Sequence, residues 1–271
     1  MKNFVTVLLV FLAGVSMALN PSREYEVMPE DFGMDYEDLT IKTEDGINLY
    51  CWKFKPMERS AKTVIVSDDG EGNMVDNIEI IAQFVSLGYN VISYDYRGYG
   101  KSDEFRISPK FYIYAQFSRD LDAVIKYVKK YDAKQRVTLW GVGVGAGLSV
   151  AVGSNNVKVS NIIADAPYTD LETMKRKYKE VKDIDIMMPL GFDKLFVEPL
   201  YALQEKGNHV EKYMFIIGGN DKLITVDEIK IIMKPKKKVS TLYIVPETEN
   251  PNNFTVNKNE YFNQVKKFLN Q

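Results

Sequence analysis

Apolar and polar residues alternate from Asp38 to Lys42 and again from Ile47 to Phe54, on either side of Glu44-Asp45-Gly46. Period-two alternation around a short turn containing glycine predicts a β-hairpin. Thr63 to Val66 is a short continuous apolar run, as expected of a strand buried on both faces, and it leads into the acidic loop Ser67-Asp68-Asp69-Gly70-Glu71-Gly72-Asn73. Ile78, Ile81, Phe84 and Leu87 then recur at helical spacing. Asn90 to Tyr94 predicts another buried strand, ending in Asp95-Tyr96-Arg97-Gly98-Tyr99-Gly100-Lys101-Ser102. A helix over Phe117 to Tyr131, a strand over Val137 to Trp140, a small-residue helix after a glycine-rich turn and a strand over Val159 to Ala164 follow. From Asp170 to about His209 the pattern changes to helical pieces rich in Lys, Met and Phe, with no evident strand. Tyr213 to Ile217 resumes the strand pattern and ends in Gly218-Gly219-Asn220-Asp221; a helix over Val226 to Met233, a strand over Ser240 to Val245 and a helix over Lys258 to Leu269 complete the chain. Strands separated by helices of about 10–15 residues predict an α/β fold with a parallel sheet covered on both faces, and the leading hairpin adds an antiparallel edge.

Of the 271 residues, the first stretch has one early charge, Lys2, and then an uncharged run from Asn3 to Asn20, apolar in its centre. Ser16 and Ala18 supply the small-x-small pattern of a cleavage site, so residues 1–18 are predicted to be a signal peptide. An uncleaved anchor is the alternative. The expectation is export to a periplasm or the medium, with no membrane span after cleavage. Residues 19–36 read as an extension and 37–271 as one domain, with an insertion over about 168–210. A net charge of −2 gives no electrostatic case for nucleic acid, and a single cysteine, Cys51, allows no disulfide within the chain. The cluster Lys234, Lys236, Lys237 and Lys238, interrupted by Pro235, reads as a solvated turn.

The central stretch is Val137 to Val152, in which a strand enters the turn Gly141-Val142-Gly143-Val144-Gly145. In the sharp strand-to-helix turn G-x-S-x-G the middle residue is a serine nucleophile. Here that position is Gly143. Together with Asp95 to Ser102 before it and Gly219-Asn220-Asp221 after it, the turn resembles the α/β-hydrolase fold, in particular its serine aminopeptidase-like branch, over residues 37 to 270. The resemblance implies a mostly parallel eight-stranded sheet flanked by helices, with a helical lid inserted. It places the triad acid at Asp221 and the histidine position in Pro246-Glu247-Thr248-Glu249-Asn250-Pro251, with Glu249 the best match and no histidine in that loop. The His-Gly pair of the family corresponds to Asp69-Gly70. Of the three triad positions only the acid is retained.

The chain's one histidine, His209, precedes the strand at Tyr213, which puts it at the wrong end of a parallel sheet for catalysis. Ser149 lies within the helix beyond the turn, Ser102 is a loop residue, and neither has a visible base to activate it. Asp68, Asp69 and Glu71, with Glu247 and Glu249 expected opposite, would oppose a developing oxyanion. Arg97 reads as a tie between its loop and the scaffold. Asp69, Gly70 and Val144 are expected to border a ligand cleft, together with Met188 and Phe192 from the lid.

Two other readings arise from the same residues. Gly141-x-Gly143-x-x-Ala146, with Asp165 at the end of the next strand, also fits a dinucleotide fingerprint. Oxygen ligands from Asp69, Glu71, Asp221 and Glu249 would suit calcium or magnesium, but no loop shows ligand spacing, so no metal and no cofactor is expected. The expected function is binding of a small molecule or partner in a former active-site cleft. An esterase or peptidase with an unorthodox site is the alternative.

Overall fold

In a computed structural model, residues 18–131, 136–249 and 252–270 are described. All but Ala18 of the predicted signal peptide lies outside them. A two-residue strand β1 (Asn20–Pro21) precedes the hairpin of β2 (Tyr36–Lys42) and β3 (Asn48–Phe54). Then come β4 (Lys62–Ser67), β5 (Glu71–Gly72), α1 (Ile78–Ser86), β6 (Asn90–Tyr94) and α2 (Phe117–Tyr131). The central unit is β7 (Arg136–Val142), α3 (Gly143–Asn155) and β8 (Val159–Asp165). The lid segment carries α4 (Leu171–Lys177), α5 (Lys194–Val197) and α6 (Pro199–Glu205). The chain ends with β9 (Lys212–Gly218), α7 (Val226–Met233), β10 (Ser240–Val245) and α8 (Lys258–Asn270).

Among the described residues one eight-stranded sheet has the order β10-β9-β8-β7-β4-β6-β3-β2, parallel from β10 to β6 and antiparallel through β3 and β2. The period-two pattern explains how its two faces are covered. Along β9, Tyr213, Phe215 and Ile217 enter one core with α2, α3 and α7, while Met214 and Ile216 enter the other with α1 and α8. Helix α3 is buried from Gly143 to Ser154, so it has no solvent face to be amphipathic about, and its glycines, alanines and valines suit that setting. The predicted strands and long helices lie within a residue or two of those observed.

The lysine cluster differs from the expected turn: Lys234 to Val239 forms a 3₁₀-helix, with Pro235 in its first turn where a missing N–H costs nothing. A second strand pair, β1 with β5, was not legible in the pattern.

Arg97 is 2% exposed and holds three segments together. Its Nε and Nη2 donate to Asp120 Oδ1 of α2 at 2.9 and 2.7 Å, and its Nη1 and Nη2 donate to Asp45 of the hairpin turn at 2.8 and 3.0 Å. The Arg97 amide donates to Asp120 Oδ2 at 3.1 Å. Removing one member of a buried pair leaves its partner as an uncompensated buried charge. Arg97→Ala is therefore expected to lower unfolding stability in urea by about 3–5 kcal/mol, and Arg97→Lys to recover only part of it because the fork geometry is lost.

Candidate functional site

The carboxyl ends of the parallel strands are where such a sheet carries its site. At the end of β7, Gly143 has φ +53°, the left-handed backbone that a strand-to-helix turn demands and glycine adopts without strain. At Gly145 a Cβ would run into the carbonyl oxygens of Ser67 and Asp68, so its absence lets the loop after β4 lie directly on the first turn of α3. That contact brings Asp69 over the turn. Its Cβ is 3.0 Å from where a Cβ on Gly143 would stand, so a side chain at residue 143 would start in tight contact with Asp69.

The same loop consumes its own donors. Asp68 Oδ1 accepts from the Gly70 amide at 2.9 Å, and its Oδ2 accepts from Asn77 Nδ2 at 2.8 Å. Asp69 Oδ1 accepts from the Glu71 amide at 2.9 Å. An oxyanion hole of this fold draws one N–H from this loop and one from the residue after the nucleophile position, here Val144. Carboxylates now hold the loop amides at 70 and 71. Burial lifts the Asp68 carboxyl well above the usual range, the adjacent Asp69 charge adding to it, and burial pushes Asp69 up to about 6. Glu71 and Asp76 are raised as well, first by burial. The positive end of α3 beside Asp69 offsets part of that cost.

A cavity of about 290 Å³ lies beside the turn, lined by Asp68, Asp69, Glu71, Asp76, Asp165 and Trp140 among others. Asp165, 2% exposed, accepts from Asn253 Nδ2 at 2.7 Å and from the Tyr261 hydroxyl at 2.8 Å, and Trp140 Nε1 donates to that hydroxyl at 3.1 Å. Burial pushes Asp165 up to about 6. With both oxygens engaged, Asp165 is not free to take a ribose. Asp68 and Asp69 beside the turn would also set negative charge against a pyrophosphate there, which weighs against the dinucleotide reading. Among the described residues no group of three or more His, Cys, Asp or Glu side chains is arranged to hold a metal ion.

Asp221 follows β9, where its Oδ1 accepts from the amides of Leu223 and Ile224, both at 2.9 Å. Burial holds the phenols of Tyr112 and Tyr178 above their ordinary range, with neighbouring tyrosines acting next on Tyr112 and Glu71 next on Tyr178, and Asp69 and Asp221 adding smaller pushes to both. The structure thus gathers Gly143, Asp69, Gly70, Val144 and Asp221 around one region. Glu249 is exposed, in a loop tied to the Asp221 loop through backbone, the Asn220 amide donating to Thr248 O at 2.8 Å. Met188 and Phe192 are half-buried on the lid; Phe192 lines a separate groove of about 620 Å³ with Phe111, Tyr114 and Phe196. His209 Nε2 lies 3.2 Å from Gly153 O, near the far end of α3 from Gly143. Ser149 is fully buried, its hydroxyl without a partner among the described residues, and Ser102 Oγ donates to Asp95 O at 2.7 Å.

Sequence reasoning missed Leu19, Tyr112, Tyr178 and the pairing of Asp165 with Asn253, Tyr261 and Trp140, which depend on contacts between distant segments.

The buried carboxyls make stability depend on pH with a definite sign. Asp68, Asp69 and Asp165 bind protons more tightly folded than unfolded, where the carboxyl pKa is about 3.9. Between about pH 4 and 6 the native state therefore holds more protons, and its stability falls as pH rises through that window. The melting temperature is expected to be higher at pH 5 than at pH 7.5. Asp69→Asn, which keeps an acceptor for the Glu71 amide, should shrink the difference by several degrees, since 1 kcal/mol corresponds to about 2–4 °C at this size.

The serine aminopeptidase, S33, family matches residues 62–213. Among curated relatives, Protein bem46 of Schizosaccharomyces pombe is 24% identical over 221 residues, covering 78% of this chain and 69% of that protein. Lysophosphatidylserine lipase ABHD12 of Danio rerio is 23% identical over 226 residues, 71% of this chain and 56% of that protein. Among solved structures, the Pyrococcus furiosus esterase Pf2001 superposes with a TM-score of 0.73 at 23% identity, covering 95% of this chain and 98% of that one. That likeness carries the fold. Since the family match spans more than half of the chain and the sheet order, turn and lid agree with it, the protein belongs to the serine aminopeptidase S33 family of α/β-hydrolases.

Proposed function

We propose that this protein is an exported α/β-hydrolase relative that no longer performs acyl transfer and instead binds a small molecule or partner in the former active-site cleft. One observation carries the reading: residue 143, the nucleophile position, is a glycine, and a side chain there would meet the Asp69 Cβ at 3.0 Å. The carboxylates that hold the loop amides at 70 and 71 support it, because those loop donors are turned to Asp68 and Asp69 rather than towards an oxyanion. A site bordered by Asp69, Glu71 and Asp221 is matched to a ligand that is cationic or rich in hydrogen-bond donors.

Short p-nitrophenyl esters and aminoacyl anilides are expected to turn over at background rate, and a fluorophosphonate to leave the protein unlabelled. Stoichiometric labelling of one serine would overturn the reading. Gly143→Ser alone should remain at background, because no histidine replaces Glu249 and the new side chain meets Asp69. Its φ of +53° adds about 1–3 kcal/mol of backbone strain. Gly143→Ser combined with Glu249→His should give more turnover than the single change; full turnover from the single change would show that a base is present after all. Export rests on residues 1–18 and is checked by the mass of the secreted chain, which should begin at Leu19.

A further inference from the structure

Residues 18–25 cross the carboxyl ends of the strands and bridge two loops. β1 runs parallel to β5, with Asn20 beside Glu71 and Pro21 beside Gly72. The Asn20 amide donates to Gly70 O at 3.0 Å and the Ser22 amide to Gly72 O at 2.7 Å. On the loop after β6, the Gly100 amide donates to Ser22 O at 2.9 Å and Arg23 Nη1 donates to Ser102 O at 2.9 Å. Asn73 Nδ2 donates to Glu24 O at 2.7 Å, and the Tyr25 hydroxyl donates to Asp95. The Tyr25 ring packs 5.3 Å from that of Trp52, which anchors the far end of the segment.

The near end is buried. Ala18 is 5% exposed and Leu19 0%. Leu19 Cδ2 lies 2.7 Å from the point that a Cβ on Gly70 would occupy, and the Tyr99 hydroxyl and Val144 Cγ2 each lie 3.8 Å from the same point. The isobutyl group thus packs against Gly70, which the Val144 side chain also approaches.

We propose that residues 18–25 are an autoinhibitory strap, with Leu19 as its plug, and that the cleft above Gly143 and Val144 opens only when the strap lifts. The inference rests on the binding reading for its purpose, but its test does not require a ligand. The strap is suited to local opening: beyond its hydrogen bonds to the loops and the Tyr25 anchor, only Ala18 and Leu19 are fully buried in it, whereas the sheet beneath has both faces packed. On the export reading, cleavage after Ala18 leaves Leu19 to Tyr25 as the start of the mature chain, where local fraying concentrates.

The test uses Cys51, fully buried in β3, as a built-in reporter of global unfolding. Val144→Cys in the full chain adds a second thiol behind the plug, and maleimide labelling at each of the two thiols is followed by peptide mass spectrometry. In Val144→Cys alone, the thiol introduced at position 144 should label at least tenfold faster than Cys51, through strap opening. Adding Leu19→Gly should speed labelling at position 144 a further tenfold or more and leave Cys51 nearly unchanged. Equal rates at the two positions in both backgrounds would overturn the strap, since opening would then be global. So would an equal acceleration at both sites on Leu19→Gly, or no acceleration at position 144. As a second measurement on the unaltered chain, the Asn20 and Ser22 amides should exchange hydrogen well before those of β7; exchange together with β7 would overturn the proposal. Failure of the binding reading leaves these rates unaffected, so the two ideas fail separately.

Discussion

The contact on which this structure depends is the close approach of the loop after β4 to the first turn of α3. It is possible because Gly145 has no Cβ to collide with the carbonyl oxygens of Ser67 and Asp68. Once those carbonyls lie on the helix, Asp68 and Asp69 follow them into the interior. A carboxylate leaving water needs donors or a proton, and these find both: amides at 70 and 71, Asn77, and a pKa shifted upward. The same turn that could have presented a nucleophile is thereby flanked by acidic side chains whose own stabilisation takes the loop amides at 70 and 71.

The rest of the site region is fixed by similar arrangements of buried polar groups. Asp165 joins the end of β8 to Asn253 and Tyr261, and so binds the segment that follows β10 to the sheet. Backbone bonds from Gly219 to Val245 and from Asn220 to Thr248 couple the loops after β9 and β10. On the opposite flank Arg97 satisfies Asp45 and Asp120 at once. Each network is nearly complete within itself, which favours a rigid rim over one that reorganises for chemistry. The segment at 18–25 differs. It crosses this rim from outside and contributes an aliphatic plug rather than a further polar tie.

Much of the architecture was legible because it is local. Two-residue alternation in β2 and β3, apolar runs in β4, β6 and β9, and helical spacing in α1 follow from which face each residue must bury, and burial is decided residue by residue. The glycine turn at 141–145 was legible for a related reason, since a left-handed φ at residue 143 leaves its mark as glycine. Arg97 was readable as a tie, though its partners were not: Asp45 and Asp120 lie 52 and 23 residues away.

What only the tertiary structure decided is which side chains share a space. Leu19, at the edge of an apolar leader, carries no mark of a plug, because its role exists only once β1 lies beside β5. Asp69 reads as a residue at the rim of the cleft until the Gly145 contact brings its Cβ against the turn at Gly143. Met188 and Phe192 belong to the lid in the sequence and stay on it in the fold, half-buried and with Phe192 facing a separate groove. A sequence states the periodicity, charge and backbone freedom of each residue, which are local quantities. The occupancy of the cleft is set by packing among segments far apart in the chain, and the folded molecule alone brings them together.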